Sequence, residues 1–166
     1  TGGGLQIWEP ITIGDIIGKP YTVPQAAFSN YQGVSTRATI GSFQVPDQIF
    51  PWKPLVWGHI NAAGLELDAD PLTIGCEVRL GDPVTGQLVA RGFGNSIGHV
   101  TLTPHSSTPS TPTNAMTPDN DYGLVIANQS DPTERTLYVN LYNDGLAGVY
   151  LFNKANAQLF VMAQPV

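Results

Sequence analysis

Two runs of alternating apolar and polar residues near the C-terminus constrain the fold more than any other feature. They lie in the segment TLYVNLYNDGLAGVYLF, residues 136–152. In the first run Leu137, Val139 and Leu141 share one face, because successive side chains of a strand point to opposite sides of its sheet. The tripeptide NDG at 143–145 separates the runs, and Asp-Gly between strands is typical of a tight hairpin turn. The segment therefore predicts two neighbouring antiparallel strands.

The same two-residue period recurs along most of the chain from residue 34 onward. The further strand-like runs are VSTRATIGSF, PLVWGHINA, LTIGCEVRL, QLVARGFG, IGHVTLTP, YGLVIAN and AQLFVMAQ. GDPVTG at 81–86 predicts a hairpin between two of them, and residues 153–156 predict a turn before the last. No segment has the period of an amphipathic helix of ten residues. We therefore predict an all-β fold, with residues 34–166 forming a single antiparallel β-sandwich or jelly-roll-like domain of about eight strands.

Residues 1–33 predict an irregular, extended N-terminal arm. Pro10, Pro20 and Pro24 rule out a long helix here, since proline breaks the helical hydrogen-bond ladder. The arm is nevertheless rich in apolar side chains that need burial, either on the parent domain or on a neighbouring subunit. The residues predicted to make such contacts are Trp8, Ile11, Tyr21, Phe28 and Tyr31, together with Trp52 in the apolar segment QIFPWKPLVW.

The segment HSSTPSTPTNAMTPDNDYG, residues 105–123, separates two predicted strands. Its prolines, with Pro104 before them, disfavour helix and favour an extended, polyproline-like path. Loops of this length inside a compact domain are usually functional or disordered. We interpret it as an assembly or surface-recognition loop, with His105, Pro109 and Pro112 as candidate contact residues.

Composition restricts the classes of partner. Charged residues make up only 12% of the chain, about half the usual share of roughly 25%. The formal net charge is −6 and the seven basic residues are scattered, which argues against nucleic-acid binding. No apolar run approaches the ~20 residues that span a bilayer, so membrane insertion is not expected. Residues 1–24 lack a basic leader with a long apolar core, so we expect synthesis in a cytoplasm. Low surface charge suits a subunit that is partly covered by partners.

The residues that could carry chemistry form no recognisable catalytic or metal-binding pattern. Cys76 is the only cysteine, which excludes an internal disulfide, and we interpret it as a small buried apolar residue. His59, His99 and His105 do not have the spacing of zinc ligands. The sequence also lacks a G-x-S-x-G nucleophile motif. We predict a protein that is not an enzyme and that has no catalytic residues, metal or cofactor.

Two acidic clusters leave calcium binding open as an alternative. LELDADP places Glu66, Asp68 and Asp70 at alternate positions, and TPDNDYG places Asp119 and Asp121 two apart. Carboxylate oxygens are suitable calcium ligands, but neither cluster has the full ligand set of a calcium loop. Solvated acids in turns are the preferred interpretation.

The tryptophans raise a second alternative. Trp8, Trp52 and Trp57 all lie near prolines. An exposed tryptophan can stack on sugars, whereas one wedged among prolines more often packs in a core or an interface. Packing is the preferred interpretation, and a lectin-like carbohydrate-binding module remains the alternative.

Three stretches resemble a known family. TGGGLQIWEP, GKPYTVPQAAFSNYQGVSTRATIGSFQVP and LYVNLYNDGLAGVYLF resemble small virion proteins of tailed phages that infect mycobacteria and related actinobacteria, usually called minor tail proteins. The resemblance covers nearly the whole chain and brings no catalytic residues with it. It implies a structural component of the virion tail tip, made in the host cytoplasm, which contacts other tail proteins and could contribute to host attachment.

The resemblance also suggests how copies of the chain associate. Homo-oligomers usually have closed symmetry, and three-fold order is common at tail tips, so a homotrimer is the first expectation. Three alternatives remain at this stage: a capsid decoration protein, a lectin-like module for glycans of the host envelope, and an envelope hydrolase.

Overall fold

The computed structural model describes residues 20–66, 74–94, 97–104, 125, 129–142 and 148–166. They contain nine strands: β1 (Pro20–Thr22), β2 (Tyr31–Ser35), β3 (Arg37–Gln44), β4 (Trp52–Glu66), β5 (Ile74–Leu80), β6 (Gln87–Gly94), β7 (Ile97–Pro104), β8 (Thr136–Tyr142) and β9 (Gly148–Pro165). Two short 3-10 turns, Gln25–Ala27 and Pro132–Arg135, are the helical segments of this described part. The prediction of an all-β chain is confirmed.

The strands form two antiparallel sheets that share β7. In sheet A, β9 lies between β4 on one side and β1 and β2 on the other, and β4 also pairs with β7. In sheet B the order is β3, β8, β5, β6. The first part of β7 pairs with β4 in sheet A, and its last two residues pair with Ala90 and Arg91 of β6. The predicted antiparallel sandwich is therefore confirmed, with the two sheets joined along one side.

The pairing is nested in the manner of a jelly roll. β6 pairs with β7, β5 pairs with β8, and β4 pairs with β9, so each pair lies outside the previous one along the chain. The β4–β9 pair lies in sheet A and the β5–β8 pair in sheet B, so a rolled antiparallel ribbon supplies both layers of the sandwich.

The hairpin predicted for residues 136–152 is wrong. β8 is paired on one edge with β3 and on the other with β5, and β9 is likewise occupied on both edges by strands of sheet A. The chain therefore passes from sheet B to sheet A between the two runs. Alternation identifies a strand and Asp-Gly identifies a turn, but neither determines which strands pair. The hairpin predicted around GDPVTG is confirmed, because β5 pairs with β6 across residues 81–86.

The turn predicted at residues 153–156 is a bulge inside a continuous strand. The register between β4 and β9 places Ile60 opposite Ala157, whereas Ala62 lies opposite Phe152. Four residues of β9 are therefore accommodated next to a single residue of β4, and all four are exposed. The backbone N–H of Ala155 donates to Oδ1 of Asn153 (3.0 Å), which stabilises the bulge locally.

The part of the predicted arm from residue 20 onward lies within the sandwich. β1 and β2 both pair with β9, and the segment between them crosses to β3. Ser29 donates its backbone N–H to the carbonyl of Ile40 (2.8 Å), and Phe28 packs its ring against Gly41 so closely that a Cβ there would lie 2.7 Å away. Phe28 also makes an edge-to-face contact with Phe152, with the ring centroids 6.3 Å apart. Residues 20–30 therefore close the side of the sandwich opposite β7.

The core lies between the inner faces of the two sheets. The predicted inner face of β8 is confirmed, since Leu137, Val139 and Leu141 are all buried. The largest fully buried side chains are Trp52, Tyr150, Phe152, Ile40, Ile60, Leu137, Leu141, Leu159 and Val45. Cys76 belongs to the same core, as predicted, and burial raises the pKa of its thiol, with a further contribution from the charge of Glu77.

Tyr150 brings a hydroxyl group into this core. The unfolding free energy therefore depends on pH in the alkaline range. The hydroxyl has no hydrogen-bond partner among the described residues, and burial raises the pKa of Tyr150 to about 12, with Tyr31 contributing. The folded state therefore holds this proton more tightly than the unfolded chain, whose tyrosine titrates near pH 10. The contribution of this bound proton to the unfolding free energy is complete below pH 10 and is lost as pH rises towards 12.

We expect Tyr150→Phe to remove this pH dependence. The difference between the unfolding free energies of wild type and variant should be constant below pH 10 and should shift in favour of the variant from pH 10 to 12. Below pH 10 the variant should be at least as stable as wild type, because a buried unpaired polar group costs about 1–3 kcal/mol. Urea unfolding from pH 8 to 12 measures both effects. A difference that stays flat to pH 12 would contradict the pH dependence, and a variant less stable than wild type below pH 10 would contradict the second expectation.

Candidate interaction surfaces

The residues predicted to make intersubunit contacts occupy different environments. Five lie outside the described residues: Trp8, Ile11, His105, Pro109 and Pro112. Trp52 (0% exposed) and Phe28 (3% exposed) are buried in the chain's own core. Tyr21 and Tyr31 are half-buried and pack against that core. Phe28 and Trp52 therefore stabilise the domain itself, and the contact surfaces have to be sought among other side chains.

The outer face of sheet A carries a group of large apolar side chains, which we call the outer apolar patch: Leu55 and Trp57 of β4 with Phe160 and Met162 of β9. The strand register places Leu55 opposite Met162 and Trp57 opposite Phe160. The rings of Trp57 and Phe160 stack with their centroids 5.7 Å apart and their planes at 23°. All four side chains are half-buried, whereas Val56 between the first two is fully buried on the inner face. The patch therefore points away from the core.

None of these four residues is among those predicted from the sequence to make contacts, although a signal was present. The runs PLVW in β4 and LFVM in β9 are continuously apolar and do not alternate. A continuous apolar run is typical of a strand that is covered on both faces, as in buried parallel sheets. In this chain Val56, Val161 and Ala163 are fully buried on the inner face. The apolar side chains that alternate with them therefore form a second apolar face on the outside of sheet A.

The outer face of sheet B has a different character, because a buried carboxylate organises it. Glu77 of β5 is only 2% exposed. Arg79 donates to it through two parallel hydrogen bonds, from Nε to Oε1 (2.9 Å) and from Nη2 to Oε2 (3.0 Å). Nε of Arg37 on β3 lies 3.0 Å from Oε1 as a second ion pair. A two-pronged arginine–carboxylate pair fixes both partners in orientation as well as in charge.

Asn140 of β8 extends this network to the neighbouring strands and to the β5–β6 turn. Its Nδ2 donates to Oε1 of Glu77 (3.1 Å) and to the carbonyl of Pro83 (2.6 Å). Its Oδ1 accepts from the hydroxyl of Thr39 on β3 (2.8 Å). The Pro83 contact holds the turn against the sheet. Within the turn, Oδ1 of Asp82 accepts hydrogen bonds from the backbone N–H groups of Val84 and Thr85. Backbone hydrogen bonds, that of Thr85 first, lower the pKa of Asp82.

The Glu77 network, comprising Glu77, Arg37, Arg79, Asn140 and Thr39, joins three strands of sheet B. Its carboxylate already accepts three hydrogen bonds from side chains of the same chain, two from Arg79 and one from Asn140, which is the arrangement of a structural ion pair. Cys76, the neighbouring residue, points into the core on the opposite face. Elsewhere in the described ranges, no three histidine, cysteine, aspartate or glutamate side chains group closely enough to hold a metal ion. Asp68, Asp70, Asp119 and Asp121 of the calcium alternative lie outside these ranges.

A shallow cleft of about 330 Å³ lies where the bulge of β9 meets β2. Its lining residues are Asn30, Tyr31, Gln32, Leu151, Phe152 and Asn153. Three of them are amides, which both donate and accept hydrogen bonds. Oδ1 of Asn30 already accepts the backbone N–H of Lys154 (2.9 Å), so the bulge is part of the cleft wall.

The helical segments in the described part of the chain are two short 3-10 turns, and neither could span a bilayer.

Comparisons with known proteins add little to this description. Neither protein-family models nor curated proteins match the sequence. Among solved structures, the chain is similar to one from the structure of infectious bursal disease virus Gx strain, with 12% sequence identity and a TM-score of 0.28. The match covers 90% of this chain and 43% of the viral chain, so this protein spans less than half the length of that neighbour.

Proposed function

We propose that the protein is a structural subunit of a virion and that it acts by assembly contacts in the tail of a bacteriophage. The observation that carries the proposal is the outer apolar patch. Leu55, Trp57, Phe160 and Met162 lie on the face of sheet A that points away from a core already complete without them.

The composition of the patch favours a protein interface. Aromatic residues and methionine are enriched in interfaces and charged residues are depleted, as they are in this chain, with 12% charged residues. Burying one large apolar side chain contributes about 1.5–3 kcal/mol. Tryptophan is also among the residues that most often dominate binding energy, so Trp57, stacked on Phe160, is the expected centre of the contact.

The assignment to a phage tail rests on the resemblance of the quoted stretches to minor tail proteins. A homotrimer that contacts other tail proteins, and through them the host surface, is the arrangement we propose. A capsid decoration protein would use the same type of patch. Immunogold labelling of intact particles separates the two, since tail-tip labelling supports the proposal and head labelling contradicts it.

A second candidate function, binding of host envelope glycans, is favoured by the cleft beside β2. Its three amides match the hydroxyl groups of sugars, and Tyr31 and Leu151 supply apolar surface. Trp52 cannot take part as a stacking platform because it is fully buried. Glycan-array binding that is lost on Gln32→Ala, with oligomeric state unchanged, would favour this candidate.

We expect the purified chain to form a multimer, and we expect the variant carrying Trp57→Ser and Phe160→Ser to be largely monomeric. Loss of two central contacts should raise the dissociation constant about a hundredfold or more, because each is worth about 2 kcal/mol and 1.4 kcal/mol corresponds to a factor of ten. Light scattering over a concentration series measures the constant, and circular dichroism checks that the variant is folded.

The matched control is Ile49→Ser, which removes a large apolar side chain that is 87% exposed and lies outside the patch. This variant should keep the oligomeric state of the wild type. A wild-type chain that is monomeric at all concentrations would contradict the proposed function. Equal dissociation constants for the double variant and the control would show that the patch is not the interface.

A further inference from the structure

We propose that residues 1–19 of one copy cover the outer apolar patch of a neighbouring copy, so that the subunits are joined by exchanged N-terminal segments. The inference deepens the proposed function and rests on it, because it names the partner of the patch. It is argued from three features: the place where β1 joins sheet A, the residue types that precede β1, and the direction of β1.

The chain joins sheet A directly beside the patch. Pro20 of β1 lies opposite Met162, and Thr22 lies opposite Phe160. On the other edge of β9, Met162 lies opposite Leu55 and Phe160 lies opposite Trp57. Two cross-strand rows therefore run from β1 through β9 to β4, and each row contains two side chains of the patch. Whatever precedes β1 in the sequence starts at the border of this surface.

The residues that precede β1 have the composition of a segment that needs an apolar surface. Seven of the first 19 residues are large and apolar: Leu5, Ile7, Trp8, Ile11, Ile13, Ile16 and Ile17. Burial of each is worth about 1.5–3 kcal/mol, which makes exposure of all seven unfavourable. In an extended conformation 19 residues reach roughly 60 Å, enough to cross a neighbouring domain of this size. The outer apolar patch is a surface of matching character that lies directly beside β1.

The direction of β1 favours a neighbour over the same copy. β1 runs antiparallel to β9, with Pro20 opposite Met162 and Thr22 opposite Phe160. The chain therefore enters β1 from the end of the sheet at which β9 stops, at Pro165. From there the chain could reach the patch of its own copy only by reversing its direction, whereas it could reach an adjacent copy that lies beyond this end of the sheet without a reversal.

Photo-crosslinking tests the inference on the full chain. We would replace Trp8 by p-benzoylphenylalanine and mix unlabelled with ¹⁵N-labelled protein at high dilution before concentrating and irradiating the mixture. The expected products link position 8 to peptides that contain residues 55–57 or 160–162, and about half of them should join a labelled to an unlabelled chain. The same photo-reactive residue at position 49 is the positional control and should give no links to the patch.

Crosslinks that join residues of one isotopic form only would show that the segment folds back on its own copy and would overturn the exchange. Crosslinks from position 8 to other surfaces would overturn the assignment of the patch. A chain lacking residues 1–19 should bind to itself at least tenfold more weakly than the full chain. If the truncated chain forms the same multimer, the inference fails while the proposed function stands, whereas a monomeric full chain contradicts the proposed function itself.

Discussion

Replacing Gly58 by alanine should destabilise the protein by about 3–5 kcal/mol. Gly58 has a φ of 143°, a conformation that costs other residues about 1–3 kcal/mol. A Cβ at this position would lie 2.1 Å from the backbone carbonyl oxygen of Gln158 on the paired strand β9, so the strands would also have to move apart. Overpacking of this kind typically adds 1–3 kcal/mol.

Gly81→Ala is the matched control for this substitution. Gly81 also has a positive φ, of 87°, but a Cβ there would meet nothing within 4 Å. Gly81→Ala should therefore lower the unfolding free energy by only about 1–2 kcal/mol, the cost of the left-handed backbone conformation. Urea unfolding of the two variants followed by tryptophan fluorescence measures the difference. If both variants lose the same stability, the close approach of β4 and β9 at Gly58 is not as described.

Glu77→Ala should cost about 2–4 kcal/mol of unfolding free energy. Removal of one member of a buried ion pair usually costs 3–5 kcal/mol, because the other charge stays buried without a partner. The side chains of Arg79 and Arg37 are 20% and 34% exposed, so water will compensate part of the loss. Asn140 would also lose the acceptor for one of its two Nδ2 hydrogen bonds.

The control for Glu77 is Glu134→Gln, at an exposed acid of the second 3-10 turn. An exposed substitution of this kind usually changes stability by no more than about 0.5 kcal/mol. Chemical unfolding of both variants at neutral pH gives the comparison. A Glu77→Ala variant as stable as the Glu134→Gln variant would mean that the Glu77 network contributes nothing to the stability of sheet B.

The sequence predicts the class of fold and the faces of individual strands better than it predicts their pairing. Alternation in β8 correctly separates buried Leu137, Val139 and Leu141 from the opposite face, because that rule depends only on neighbouring residues. Pairing depends on residues far apart in the chain. The NDG tripeptide is compatible with a hairpin, but both edges of β8 are occupied by β3 and β5.

The extent of the N-terminal arm illustrates the same limit. Its prolines argue against a long helix, and the part from residue 20 onward contains two strands and one short 3-10 turn. Pro20 is compatible with a strand, since proline is accepted at the first residue of one. Whether Tyr21 or Tyr31 pairs with β9 could not be read from their own surroundings in sequence.

The Glu77 network and the outer apolar patch could not be predicted from the sequence for related reasons. Arg37, Glu77 and Asn140 lie on three strands and come together only through the register of sheet B. In the outer apolar patch, Phe160 and Met162 look like core residues because they alternate with Leu159 and Val161, which are buried. When a strand is apolar on both faces, its sequence does not show which face is buried in the core and which face is open to a partner.

The antiparallel contact between β1 and β9 also determines how the domain would respond to a mechanical pull. The entry of β1 and the last residues of β9 lie at the same end of sheet A. Tension between them would open the three residue pairs of β1 one after another, as a zipper opens, and would not shear them together. β9 would still be held by β4 from Trp52 to Glu66. Under load the chain would thus lengthen by a short step at β1 while the pairing of β9 with β4 was kept.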